Sequence, residues 1–232
     1  MKYLIMNKNL LLLFLLIVTF NTCLSQTPIT IIDKAVVFDE HRKELTLEYK
    51  RERYHLHEDS VEIVPKMIVL HWTVIPTFEK TFDAFNSPEL PNWRPELEGV
   101  SGLNVSSQFV VDRDGTIYRL MPETYMARHT IGLNHCAIGI ENVGGTKELP
   151  LTEAQQQSNI QLVSYLKEKY PTIDYLIGHY QYTNFEDHPL WLEVNDAYRT
   201  VKDDPDEAFL ESVKAGTKQY NFKPTPFAKD AH

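Results

Sequence analysis

Residues 67–71 read Met67-Ile68-Val69-Leu70-His71, four apolar side chains closed by an ionisable one. A short apolar run of this kind predicts a buried strand. Two more runs share the pattern: Ala137-Ile138-Gly139-Ile140-Glu141, and Asp174-Tyr175-Leu176-Ile177-Gly178-His179. A hairpin is expected where Gln108-Phe109-Val110-Val111 and Thr116-Ile117-Tyr118-Arg119-Leu120 flank Asp112-Arg113-Asp114-Gly115, because Asp-Gly between β-rich segments favours a tight turn. Helical signals lie between the strands. Phe78, Phe82 and Phe85 share helical spacing over 77–85. Thr152-Glu153-Ala154-Gln155 is a capping box for a helix to about Tyr170, with Ile160, Leu162, Val163 and Leu166 on one side. Asp204-Pro205 is expected to open a last helix to Ala215, with Pro205 in its first turn and Gly216 beyond its end. Strands and helices mixed in this way predict an α/β domain with a central mixed β-sheet flanked by helices.

Upstream, Asp39 can cap a helix through about Arg53, where Leu45, Leu47 and Tyr49 sit among charges. Ile29, Ile31, Ile32, Val36 and Val37 form a short apolar segment expected to pack on the main domain. The first 25 residues carry Lys2 and Lys8, no acid, and an apolar run over 10–20, too short to span a bilayer. That is the pattern of an export signal. Two processing routes are open: cleavage after Ser25, or lipidation of Cys23 through Phe20-Asn21-Thr22-Cys23. The chain then divides into a signal (1–25), an N-terminal extension (26–65), a main domain (66–216) and a tail (217–232). The expected location is periplasmic or outer-membrane lipoprotein, alternatively secreted, with membrane contact only through a lipid anchor at Cys23.

Composition narrows the function classes. With 43% apolar and 24% charged residues the 232-residue chain has the make-up of a folded globular domain. Its net charge of −9 becomes −11 once the two signal lysines are gone, which argues against a nucleic-acid partner. Two cysteines and no CxxC pair exclude a disulfide scaffold and a zinc ribbon. Cys136 reads as a small buried residue beside the Glu141 strand. Nine histidines are a surplus, and their placement carries the chemistry.

Carboxyl ends of strands in open α/β sheets are where ligands bind. His71, Glu141 and His179 each stand at such an end, which suggests a metal or acid–base site. A catalytic zinc usually has three protein ligands. Asp187, His188 and Asp204 are the available third partners. His41, His55, His57 and His232 have no motif context and are expected at the surface.

The pattern His71-Trp72-Thr73, then Ser106 through Tyr118, then Ala127-Arg128-His129, then Ile138-Gly139-Ile140-Glu141, then Ile177-Gly178-His179 resembles the type 2 N-acetylmuramoyl-L-alanine amidases, a family that also includes peptidoglycan recognition proteins. Five pieces stand in the family's order, from about Lys66 to Ala215. The resemblance implies an amidase/peptidoglycan-recognition-protein-like fold and a Zn2+-dependent cleavage of the amide between N-acetylmuramic acid and L-alanine, in peptidoglycan or its muropeptide fragments. It further implies His71, His179 and Asp204 as zinc ligands, with His188, which precedes Pro189, as the rival third ligand. Lys202, two residues before Asp204, favours Asp204 and matches the family's catalytic lysine. Glu141 matches its catalytic glutamate and His129 a substrate-contacting histidine. Arg128, Asn134 and His135 are expected to line the same cleft, with Trp72 packing beside the metal.

Two departures stand out. Asp206 replaces the family's glycine after the proline, and residues 180–201 are a longer loop than in compact members. Its Tyr180, Tyr182 and Trp191 are candidate glycan or stem-peptide contacts. A non-catalytic peptidoglycan-binding module is the alternative function. A zinc peptidase lacks support, since no HExxH helix is present.

Overall fold

The computed structural model describes residues 28–92 and 99–227. The segment read as an export signal (1–25), with Cys23, lies outside the described residues. Among the described residues ten strands and α-helices follow one another. They are β1 (Ile31–Asp33), α1 (Glu40–Tyr54), β2 (Met67–Trp72), α2 (Phe78–Asn86), β3 (Phe109–Val111), β4 (Ile117–Arg119), β5 (Ala137–Asn142), α3 (Glu153–Lys169), β6 (Tyr175–Gly178) and α4 (Glu207–Gly216). The six strands form one mixed sheet ordered β1-β4-β3-β5-β2-β6. Every neighbouring pair is parallel except the β3–β4 hairpin.

Local chemistry explains most boundaries. In the hairpin turn Gly115 takes φ +89°, which only glycine adopts freely, and Asp114 Oδ1 accepts from Thr116 N–H at 2.8 Å. The Thr152 capping box is complete: Thr152 Oγ1 accepts from Gln155 N–H, and Gln155 Oε1 from Thr152 N–H. Asp39 caps α1 as expected, and Thr77 caps α2.

The last helix is a correction. It begins at Glu207, not at Pro205, and it includes Gly216. Asp206 is the cap, its carboxylate accepting from Phe209 N–H at 2.8 Å. Asp206 thus starts α4, and Asp204, two residues before it, is buried in the cluster described below.

The N-terminal extension is part of the sheet, because β1 pairs with β4 in register Ile31–Ile117. Helix α1 buries an unusual face: Arg42, Thr46, Tyr49, Lys50, Arg53 and Tyr54. Buried cations need partners. Arg42 donates to the carbonyls of Phe85, Asn86 and Ser87, free acceptors at the end of α2. Lys50 Nζ donates to Ser60 O and Glu62 O and pairs with Glu58. Arg53 pairs with the buried Glu193.

One sheet face, carrying Ile68, Leu70, Ile138 and Ile140, packs against Leu162, Val163 and Leu166 of α3 and Phe209, Leu210 and Val213 of α4. Met67, Val69, Ala137, Tyr175 and Ile177 point the other way, onto Ile131, Leu133, Cys136, Tyr182, Phe185 and Tyr198. That second face is covered near β2 and β6 by loops, and the loops open a cleft at the strand ends.

Candidate metal centre

Register brings the site together. His71 stands opposite Glu141 and Leu70 opposite Gly178, so His179 follows one step beyond the β6 pairing. Alternation then places His71, Glu141 and His179 on the face shared with Val69 and Ile177. A cleft of ≈ 300 Å³ opens there, walled by His71, His129, Glu141, His179, Lys202 and Asp204 among others.

Three ligand atoms converge on one point. His71 Nδ1 lies 2.9 Å from His179 Nδ1, and Asp204 Oδ2 lies 3.2 Å and 3.1 Å from these two nitrogens. All three residues are buried. A proton can bridge only one edge of such a triangle at a time, whereas a cation satisfies all three. For metal–ligand bonds near 2.0–2.1 Å a tetrahedral edge is about 3.3 Å, so the triangle matches a tetrahedral site to within a few tenths of an ångström. Two imidazoles and a carboxylate are a donor set that suits Zn2+. It is the metal-type cluster of the chain among the described residues.

Electrostatics agree with this donor set. Burial, and then the neighbouring His71, hold the His179 imidazole down at about 4, so it is neutral at pH 7. Burial alone would raise the Asp204 carboxyl, yet contacts with His179 and His71 outweigh it and hold Asp204 well below the usual carboxylate range. A neutral imidazole at His179 and an ionised carboxylate at Asp204 are protonation states that suit a metal.

His188, the rival ligand, is elsewhere. Its Nε2 meets the Tyr175 hydroxyl at 3.1 Å and its Nδ1 accepts from Leu190 N–H, so it is tied to the first residue of β6, at the opposite end of the strand from His179. Glu141 and Lys202 are half-buried on the cleft wall. Arg128 lines the cleft, but its guanidinium is directed to Leu103 O, Ser101 O and the Tyr198 hydroxyl. Asn134 Oδ1 accepts from the backbone of His129 and Thr130, which shapes the turn that carries them. His135 points away, edge-on to Tyr54, and does not line the cleft.

The loop aromatics pack instead of facing a ligand. The Tyr182 hydroxyl exchanges hydrogen bonds with Thr200, and its ring stacks near Trp191. Tyr180 lies against the α3–α4 core. Residues 179–185 form a 3-10 helix before the loop proper. Tyr49 and Tyr198 line the cleft without having been foreseen; neither belongs to a quoted motif, although Tyr198 lies only four residues before Lys202.

A mixed sheet with a His-His-Asp cluster and a carboxylate at its strand ends is a layout that suits metal-assisted hydrolysis. The sequence model of the N-acetylmuramoyl-L-alanine amidases matches residues 62–207, and the chain belongs to that family. It is 32% identical over 128 residues to the 1,6-anhydro-N-acetylmuramyl-L-alanine amidase AmpD of Citrobacter freundii, a match covering 50% of this chain and 68% of that protein. Among solved structures, the N-acetylmuramoyl-L-alanine amidase LysC of Clostridium intestinale URNW is 25% identical. That match covers 85% of this chain and 100% of LysC, with a TM-score of 0.48. Bumblebee PGRP-SA is 18% identical, covering 85% and 99%, with a TM-score of 0.49.

Proposed function

We propose that the protein is a Zn2+-dependent N-acetylmuramoyl-L-alanine amidase that hydrolyses the amide between N-acetylmuramic acid and L-alanine in peptidoglycan or muropeptides. The observation that carries this reading is the convergence of His71 Nδ1, His179 Nδ1 and Asp204 Oδ2 within 3.2 Å of one another, in a cleft that also holds Glu141 and Lys202. These three side chains would hold the zinc, which when bound acidifies water and polarises a carbonyl. Glu141 takes the proton of the attacking water and delivers it to the leaving amine nitrogen, a role open to a carboxylate on the cleft wall. Lys202 stabilises the negative charge that develops on the scissile carbonyl oxygen. Asn134 and Arg128 shape the wall rather than offering free polar groups to substrate.

The binding-module alternative needs none of Glu141, Lys202 or a complete ligand set, and all are together here. Export follows from residues 1–25, by cleavage after Ser25 or by lipidation at Cys23. Among the described residues no helix is long and apolar enough to cross a membrane.

Incubating the full chain with muropeptides and analysing the products by mass spectrometry tests the activity. Free stem peptide is expected, lost on adding chelator and regained with zinc. Intact muropeptide at every zinc concentration would leave the binding module as the better reading.

A further inference from the structure

We propose that His129 is a positioning residue for the metal centre: it is the hydrogen-bond partner that fixes the orientation and tautomer of His71. The inference rests on the zinc site proposed above. His129 Nδ1 lies 3.0 Å from His71 Nε2, and the two rings meet edge to face with centroids 5.1 Å apart.

The tautomers follow from a carbonyl at the end of this chain of contacts. Ala137 O, 3.4 Å from His129 Nε2, can only accept, so that nitrogen carries the hydrogen. In a neutral imidazole Nδ1 is then bare and is an acceptor shared by two donors, His71 Nε2–H at 3.0 Å and the Thr130 hydroxyl at 2.8 Å. With its hydrogen on Nε2, His71 is left with a bare Nδ1, the atom that faces His179 and Asp204. One backbone carbonyl thereby selects which His71 nitrogen is offered to a metal. Histidine ligands commonly donate their second ring N–H to such an outer partner. The other imidazole of the site has none: His179 Nε2 is buried without a hydrogen-bond partner among the described residues.

The place of His129 is itself built. Its backbone N–H donates to Asn134 Oδ1 at 2.8 Å, and the Thr130 hydroxyl lies 2.8 Å from its Nδ1. Asn134 is held from α1, with its N–H donating to the Tyr54 hydroxyl at 3.2 Å and its Nδ2 lying 3.4 Å from the Tyr49 hydroxyl. Gly139 of β5 leaves the space that the ring fills, since a Cβ there would come within 2.9 Å of His129 Cγ. Both tyrosines lie upstream of the family-matched segment, which begins at residue 62.

The test titrates Zn2+ alone into the metal-stripped full chain against a fluorescent chelator, and separately measures KM for a muropeptide at saturating zinc. His129→Ala is expected to weaken zinc about 10- to 100-fold while KM stays within about twofold, the range seen when an outer partner is lost. His129→Asn offers an oxygen acceptor near the position of Nδ1 and should recover most of the affinity, which a general folding defect would not allow. Unchanged zinc affinity in His129→Ala with a raised KM would overturn the assignment in favour of a substrate contact. Equal losses in His129→Ala and His129→Asn would overturn it as well. Wild-type chain that takes up no zinc would instead overturn the metal centre itself.

Discussion

His71 and Glu141 are register partners on adjacent parallel strands, β2 and β5, so the proposed metal ligand and proposed proton carrier share one sheet face at one level. Because the pairing is made by backbone, either side chain can be changed without moving the other. Glu141→Gln should therefore keep stoichiometric zinc and lose about 10²- to 10⁴-fold in kcat, the span for loss of a general acid–base group. Metal analysis alongside steady-state kinetics checks both halves. A variant that loses zinc in proportion to activity would make Glu141 a ligand.

Asp204 and His188 separate in the same assay. Asp204→Ala should leave two imidazoles and lose stoichiometric zinc. His188→Ala should keep it, at the cost of about 1 kcal/mol of stability from the lost Tyr175 and Leu190 hydrogen bonds. Zinc content by mass spectrometry and a urea melt give the two readings.

Arg53 and Glu193 tie α1 to the loop beside the cleft. Arg53 Nη2 sits 2.5 Å from Glu193 Oε1, the Glu193 side chain is fully buried, and the guanidinium lies over the Tyr198 ring. Removing one partner of such a pair strands a buried charge. Arg53→Ala should cost about 3–5 kcal/mol in urea unfolding, and the double variant Arg53→Met, Glu193→Leu much less. Equal losses in the two would mean that the ion pair contributes little.

His135 supplies a pH dependence outside the metal site. Burial, then the nearby Lys50, lower its pKa from 6.5 to about 4 in the folded chain. The folded state thus binds fewer protons than the unfolded state between these values, so stability falls as pH drops from 6.5 towards 4. Melting temperatures of wild type and His135→Gln, both with chelator present, should diverge in that window, the variant declining less steeply. Parallel curves would contradict the burial argument.

Much of this was legible in the sequence because it is local. Capping boxes, the Asp-Gly turn and apolar runs ending in His71, Glu141 and His179 are decided by neighbours a few residues apart. What the sequence left open depends on distant partners. The buried face of α1 is hard to read because Arg42, Lys50 and Arg53 find their partners outside the helix, in backbone carbonyls and in the carboxylates of Glu58 and Glu193. In the sequence the preference for Asp204 over His188 rests on Lys202 alone, since the long loop after His179 decides which one returns to the strand ends. The helix start at Asp206 was hidden by the proline before it, which carries a start signal of its own. His129 reads as a residue near substrate, and its contact with His71 emerges only across 58 residues of sequence.

The most direct test of the account is anomalous diffraction at the zinc edge from crystals of the full chain grown with Zn2+. One peak at about 2.0–2.2 Å from His71 Nδ1, His179 Nδ1 and Asp204 Oδ2 is the predicted result. No peak at that point, or a peak at His188 instead, would contradict it.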